Sequence, residues 1–427
     1  MNIEQLYKIY QQYNSVQTDT RQLKNGDMYF ALKGPNFNGN HFAKQALDAG
    51  ASYAIIDEDE FSIEGKTILV PDVLQALQEL ALHHRKQLSI PVIAITGSNG
   101  KTTTKELVHA VLSSHYKTTA TVGNLNNHIG VPLTLLRIPA DTEMAIIEMG
   151  ANHAGEIASY CEIALPTHGL ITNCGKAHLE GFGSVEGVKK AKGELFDYLR
   201  TLTHGYAFVM WDYDYLQQMS KGISGIIKYG TGEDVHVKGH VTQSLPYMQV
   251  KITQGLNNGL IHTRLAGDYN LPNVLAAVTI GDYFKVPDEK IVAAIENYHP
   301  ANSRSQVMQL GSNQVIMDAY NANPSSMKLA IEHFARINSK NKILLLGSMA
   351  ELGPETENEH KALVEEIKKH PWKYVALVGE GFKKSGHPYL QFDNSTQAKE
   401  WFQKAKIHDS HILVKGSRSM QMEKIME

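Results

Sequence analysis

A chain of 427 residues is too long for one ordinary hydrophobic core and divides into two or three domains. Its 42% hydrophobic and 20% charged residues are the make-up of a globular enzyme. A net charge of −3 excludes a protein held to nucleic acid mainly by phosphate neutralisation, yet leaves room for a local basic pocket.

The N-terminus, MNIEQLYKIYQQYNS, is polar and tyrosine-rich, unlike a signal peptide. No apolar run approaches the roughly 18 residues of a membrane span. The two cysteines, Cys161 and Cys174, form no CxxC pair and suit reduced thiols. A soluble, cytoplasmic protein is expected. Residues 1–85 mix short strands at Met28–Leu32, Tyr53–Ile56 and Thr67–Val70 with helices. The spacing of Leu74, Leu77, Leu80 and Ala81 predicts a helix over Val73–Gln87.

A second block, 86–303, opens with the β-branched run Val92–Thr96 and continues with strands at Met144–Ile147 and Gly169–Thr172. Helices alternate with these strands, which predicts a mostly parallel sheet covered on both faces. Val235–Lys238 and Tyr247–Ile252 read as an antiparallel appendage, and Asn270–Phe284 and Pro287–Tyr298 as helices. After the polar segment HPANSRSQ (299–306) the pattern restarts. Strands at Val315–Asp318, Lys342–Leu346, Val375–Val378 and Ile412–Val414, with helices at Ser325–Asn338 and through Lys369, give a third, Rossmann-like α/β domain over 304–427.

The motif TGSNGKTTTKE (96–106) follows the strand Val92–Thr96 directly. A strand, a glycine turn and a helix start aim successive N–H groups at a phosphate, with the helix dipole adding attraction. Gly97 and Gly100 allow the turn, and the backbone of Ser98, Asn99 and Thr103 completes the cradle. Lys101 can neutralise β/γ phosphates and the Thr102 hydroxyl can ligate Mg²⁺. The loop is shorter than GxxxxGK[ST], because Ile95 stands where the first glycine would be. Glu148, at the end of the next strand, is a hard oxygen ligand for Mg²⁺ or else an exposed turn residue.

The loop is followed in order by TVGNLNNHIGVP (121–132), EMGANHAGEI (148–157), NCGKAHLEGFGS (173–184) and AKGELF (191–196). DAYNANPSSM (318–327), MAELG (349–353) and VKGSRSM (414–420) complete the series. Together they resemble the Mur ligases of peptidoglycan synthesis along essentially the whole chain. The resemblance implies an ATP-dependent amide ligase working through an acyl-phosphate. DAYNANPSSM and VKGSRSM imply that it adds D-alanyl-D-alanine to UDP-N-acetylmuramoyl-tripeptide; a monomer is expected.

In the first block, TDTRQLKNGDMYFALKGPNFNGNHF (18–42) resembles the uridine-nucleotide segment of the family. That places Thr20, Arg21, Asn38 and Gly39, with Asn40 and His41, near the UDP-sugar; a solvated loop is the alternative. His178 matches a metal ligand of the family, although Mg²⁺ prefers oxygen. Lys192 matches a lysine that is carbamylated to hold a second Mg²⁺, whereas its neighbours Lys189 and Lys190 read as solvated helix residues. Lys101, Lys192 and His178 are thus the implied catalytic groups. The carboxamides of Asn124, Asn126 and Asn127 can orient substrate or phosphate. Asn270 and Asn273 share a helical face and are implied to border adenine, with Tyr269 where the family commonly has His. From the third domain, Arg304 suits phosphate and Asp318 the ribose hydroxyls, reaching ATP when the domains close. Tyr320, Asn321 and Asn323 face the peptide or the dipeptide. Ser348 replaces a usual Asp. Lys415, Ser417 and Arg418 either meet a carboxylate or form an exposed basic turn. The rivals are a sister ligase, a folylpolyglutamate-type ligase, and a nucleotide-binding switch that joins nothing.

Overall fold

A continuous apolar run such as VIAIT can be buried only where helices cover both faces of its sheet. In the computed structural model, which describes residues 2–257, 259–300 and 303–427, all five residues of strand Val92–Thr96 are buried. That strand lies inside a nine-stranded sheet, third from one edge. It pairs in parallel with His168–Ile171 on one side and Met144–Glu148 on the other. Beyond Met144–Glu148 lies Thr118–Ala120, and beyond His168–Ile171 come Tyr206–Met210 and Gly225–Gly230, all parallel.

The expected appendage is instead part of this sheet. Val237–Gln243 pairs in parallel with Gly225–Gly230 and antiparallel with Gln249–Gln254, which pairs in turn with Leu260–His262. These edge strands alternate buried and exposed residues, as strands covered on one face do.

The first block forms a four-stranded parallel sheet, Val16–Gln17, Met28–Phe30, Tyr53–Ile56 and Thr67–Leu69. Helix Val73–Lys86 is started by Asp72, whose side chain accepts from Gln75 N at 2.7 Å. It buries Leu77, Leu80 and Ala81 into a core that runs on without a break into Val92 and Ile93. Arg85 donates to the Ala164 carbonyl at 2.8 Å and Tyr10 to that of Leu136 at 2.5 Å. The first two blocks are therefore packed as one mass.

The third sheet has six strands in the order Gln306–Leu310, Asn313–Asp318, His411–Lys415, Lys342–Gly347, Tyr374–Val378 and Leu390–Phe392. Only the first pair is antiparallel. Along Lys342–Gly347, Leu344 and Leu346 enter one core while Ile343 and Leu345 enter another, as the two-residue strand period requires. Of the polar segment 299–306, residues 301 and 302 lie outside the described residues, and Gln306 already belongs to a strand. Among the described residues, no helix is long and apolar enough to cross a membrane.

Candidate active site

Register decides what meets the glycine turn. Glu148 pairs opposite Ile95 and Ile171 opposite Thr96, so Glu148 and Thr172 flank the loop from either side. Gly97 and Gly100 have φ of 141° and 82°, which L side chains rarely adopt. A Cβ at Gly97 would collide with Thr172 Oγ1, and one at Gly100 would come within 2.7 Å of Asn273 Oδ1. The loop thus needs both glycines for conformation and for space.

Its shape is fixed from outside. Thr172 Oγ1 donates to Asn99 O at 2.6 Å, Asn173 Oδ1 accepts from Asn99 N at 3.1 Å, and Ser98 Oγ donates to Gly175 O at 3.0 Å. Thr172 and Asn173 were not singled out by the sequence. Their signal was only their position at the end of a strand beside the loop.

Lys101 folds back over the turn, donating to Gly97 O at 2.6 Å and Ser98 O at 3.3 Å. Burial lowers its pKa, Arg304 adds to the effect, and Glu148 and Glu351 oppose it. Glu148 is 1% exposed. Its Oε1 accepts from Thr102 Oγ1 at 3.1 Å and from Asn126 Nδ2 at 2.8 Å, whereas its Oε2 has no partner. A buried carboxylate oxygen without a donor costs free energy unless a cation meets it. The reading of Glu148 as an exposed turn residue is excluded.

Lys192, on helix Val185–Arg200, is 1% exposed and has one hydrogen bond, to Ala151 O at 3.1 Å. Desolvation, then repulsion from Lys101, lowers its pKa to about 7. Its ammonium lies 5.2 Å from the Phe182 ring, which also stands edge-on to His178 at 6.3 Å. His178 Nδ1 comes within 2.5 Å of Glu351 Oε2, close enough to pair but not aligned as a hydrogen bond. Among the described residues, no three His, Cys, Asp or Glu side chains converge into a metal cage. The unpartnered Glu148 Oε2 and the Thr102 hydroxyl beside it are hard oxygen donors of the kind Mg²⁺ takes together with water and phosphate oxygens.

The third domain touches this site at several points. Asn323 caps helix Pro324–Ala335 and its Nδ2 donates to Asn99 Oδ1 at 2.7 Å. Lys176 pairs with Glu359 at 2.6 Å, and Asp268 holds Arg336 through two bonds of 2.8 and 3.0 Å. Asp318 is engaged within its own domain, accepting from Ser305 N at 3.2 Å and pairing with Lys415 at 2.5 Å. Arg304 lies 3.7 Å over the Tyr320 ring, and the Asn321 carbonyl accepts from Lys415 at 3.2 Å.

Several expected positions take other duties here. Lys415 is buried, so its exposed-turn reading is wrong; Ser417 accepts from Ala350 N at 2.8 Å, and only Arg418 is exposed, paired with Glu423. Removing one partner of a buried pair strands the other charge. Lys415→Met is accordingly expected to lower stability by about 3 kcal/mol, read from urea denaturation. Ser348 fastens a turn, donating to Val378 O and accepting from Gly381 N, both at 3.1 Å. Asn273 Oδ1 accepts from Thr104 at 3.0 Å and its Nδ2 donates to Asn270 at 2.9 Å, so both carboxamides brace the loop. Tyr269 stands edge-on to His333, and its hydroxyl is 3.4 Å from Ser305 Oγ.

Asn127 Oδ1 accepts from Gly130 N at 2.9 Å where helix Gly130–Leu136 begins, and Asn124 is exposed. In the first block Arg21 is 87% exposed and paired with Asp19 at 2.8 Å, beside Thr20. Asn38 donates to Glu58 at 2.9 Å, Asn40 donates to Asp57 at 2.8 Å, and Lys33 pairs with both acids. A Cβ on Gly39 would strike the Leu32 carbonyl. His41 packs edge-on against Phe61.

Three family descriptions match in sequence order: "Mur ligase family, catalytic domain" over residues 12–85, "Mur ligase middle domain" over 95–281, and "Mur ligase, glutamate ligase domain" over 303–418. A UDP-N-acetylmuramoyl-tripeptide–D-alanyl-D-alanine ligase of Bacillus subtilis (strain 168) is 35% identical, over 97% of this chain and 92% of its own. The enzyme of that name from Escherichia coli (strain K12) is 36% identical, over 97% and 93%. A crystal structure of MurF from Acinetobacter baumannii has a TM-score of 0.88 at 30% identity, covering 100% of this chain and 97% of that one.

Proposed function

The chain belongs to the Mur ligase family, and we propose that it joins D-alanyl-D-alanine to the terminal carboxylate of UDP-N-acetylmuramoyl-tripeptide. ATP is split to ADP and phosphate in the process. Full-length likeness to ligases of that name supports the substrates. The observation that carries the chemistry is the buried Glu148 carboxylate, with one oxygen unpartnered, beside a glycine-turned anion cradle.

A carboxylate oxygen is a poor leaving group, so it must be activated before an amine can displace it. The tripeptide carboxylate attacks the γ-phosphorus, the bond to the β-phosphate oxygen breaks, and ADP leaves. The dipeptide amine then attacks the acyl carbon, loses a proton, and phosphate departs with the C–O electron pair. Positioning and charge stabilisation dominate such transfers. In this reading the N–H groups from Ser98 to Thr103 receive the phosphates, and Lys101 gives up its bonds to Gly97 and Ser98 carbonyls to meet them. Mg²⁺ held by Thr102 and Glu148, with a second ion at His178 and a carbamylated Lys192, would neutralise charge on the transferred group. Asn270 and Asn273 set the adenine side of the pocket, and Arg304 and Asp318 approach from the third domain.

Residues 1–85 take the UDP-sugar through Thr20, Arg21, Asn38 and Gly39. Residues 86–303 carry ATP, and 304–427 bring the dipeptide through Tyr320, Asn321 and Asn323. Asn124, Asn126 and Asn127 line the acceptor side. A cytoplasmic monomer fits this reading. Phosphate release tests it: release is expected only with the tripeptide nucleotide and D-Ala-D-Ala together. Release independent of both substrates would instead indicate a nucleotide switch, and release with a different amino acid a sister ligase.

A further inference from the structure

The segment GSMAELG (347–353) leaves the C-terminal end of strand Lys342–Gly347, where third-domain groups meet the central domain. Glu351, within it, has φ of 60°, and His178, which it faces, has φ of 51°. Left-handed backbone is strained for any residue but glycine. The Glu351 carbonyl accepts from Glu180 N at 3.3 Å, so the backbones of the two domains are joined at this point. Its carboxylate reaches within 2.5 Å of His178 Nδ1 while remaining 49% exposed. An ion pair so exposed contributes little to stability. The contact therefore cannot offset two strained residues, and stability does not explain it.

Chemistry does. A carboxylate on one imidazole nitrogen fixes the tautomer and the ring, leaving the other nitrogen unprotonated as a ligand. We infer that Glu351 is a positioning residue: as the third domain docks, its carboxylate pairs with the Nδ1 side of the His178 ring, 2.5 Å away, and leaves Nε2 to a divalent cation. The cation site is then complete only in the docked arrangement. This rests on the reading of His178 as a metal ligand.

The test is Mn²⁺ binding to the full chain in the presence of ADP, followed by electron paramagnetic resonance. Glu351→Gln is expected to weaken Mn²⁺ binding about tenfold, while ADP affinity without metal stays unchanged. Glu359→Gln, which removes a different cross-domain pair, that with Lys176, is expected to bind Mn²⁺ within about twofold of wild type. Equal weakening in both variants would overturn the positioning role, because docking alone would then explain it. Wild-type affinity in Glu351→Gln alongside weakened His178→Ala would overturn it while leaving the metal reading intact. Wild-type affinity in His178→Ala would overturn both.

Discussion

Lys101→Ala is expected to fold as the wild type does and to lose ligation by about a thousandfold. The lysine stands at the first position of helix Lys101–Ser113, where alanine is a better helix former. Its ammonium bonds to the loop's own Gly97 and Ser98 carbonyls. The loss therefore falls on the charge that develops when the γ-phosphoryl group moves. Burial has already stripped the ammonium of most of its water, with the pKa lowered accordingly. A phosphate there meets a desolvated, poorly screened cation, worth more than the same charge in solution. Phosphate-release kinetics with both substrates, beside a thermal melt by circular dichroism, separate the two effects. Activity within a few-fold of wild type would remove Lys101 from the reaction.

The parts of this site written in consecutive residues were readable, and those assembled by pairing were not. Gly97, Gly100, Lys101 and Thr102 form one turn and one helix start, so local spacing reports them. Glu148 was readable because a strand's C-terminal end beside the loop is a predictable place. Glu351 and Asn173 reach the site across sequence gaps that carry no period. Lys415 looked like part of a basic turn, yet the register that sets it opposite Asp318 buries it. The same limit hid strands Tyr206–Met210 and Gly225–Gly230. Without them, Val237–Gln243 and Gln249–Gln254 looked detached from the sheet they extend. Asn127 and Asn273 show the converse: residues chosen for chemistry also hold a helix end or brace the loop.

Lys192→Met is expected to stabilise the protein at pH 6 and to reduce ligation at least a hundredfold, on the order of two decades of rate. Three N–H donors share a single protein acceptor, the Ala151 carbonyl, in a position 1% exposed. Burial and the nearby Lys101 bring the pKa to about 7, against roughly 10.4 for the unfolded chain. Between those values the unfolded state binds the extra proton, so stability rises with pH across the window. Below pH 7 the folded protein carries the ammonium, and the burial penalty is complete. Methionine keeps the apolar stem without the charge. Its stabilising effect, a few kcal/mol on the order of three pKa units, should shrink steadily as pH approaches 10. Denaturant titrations at pH 6 and pH 9 in bicarbonate-free buffer measure it, and equal stability of variant and wild type at pH 6 would contradict it. The depressed pKa has a second consequence. Near neutral pH a large share of the amine has a free electron pair, which can add to carbon dioxide. The N–C bond forms, one C=O pair moves onto oxygen, and the nitrogen releases a proton to water. The product is an anionic carbamate where an ammonium was unwelcome, next to the cationic Lys101. Wild-type activity should therefore fall when carbon dioxide is stripped from the buffer and return with bicarbonate, while Lys192→Met responds to neither. A wild-type enzyme indifferent to bicarbonate would mean that Lys192 acts as the bare amine.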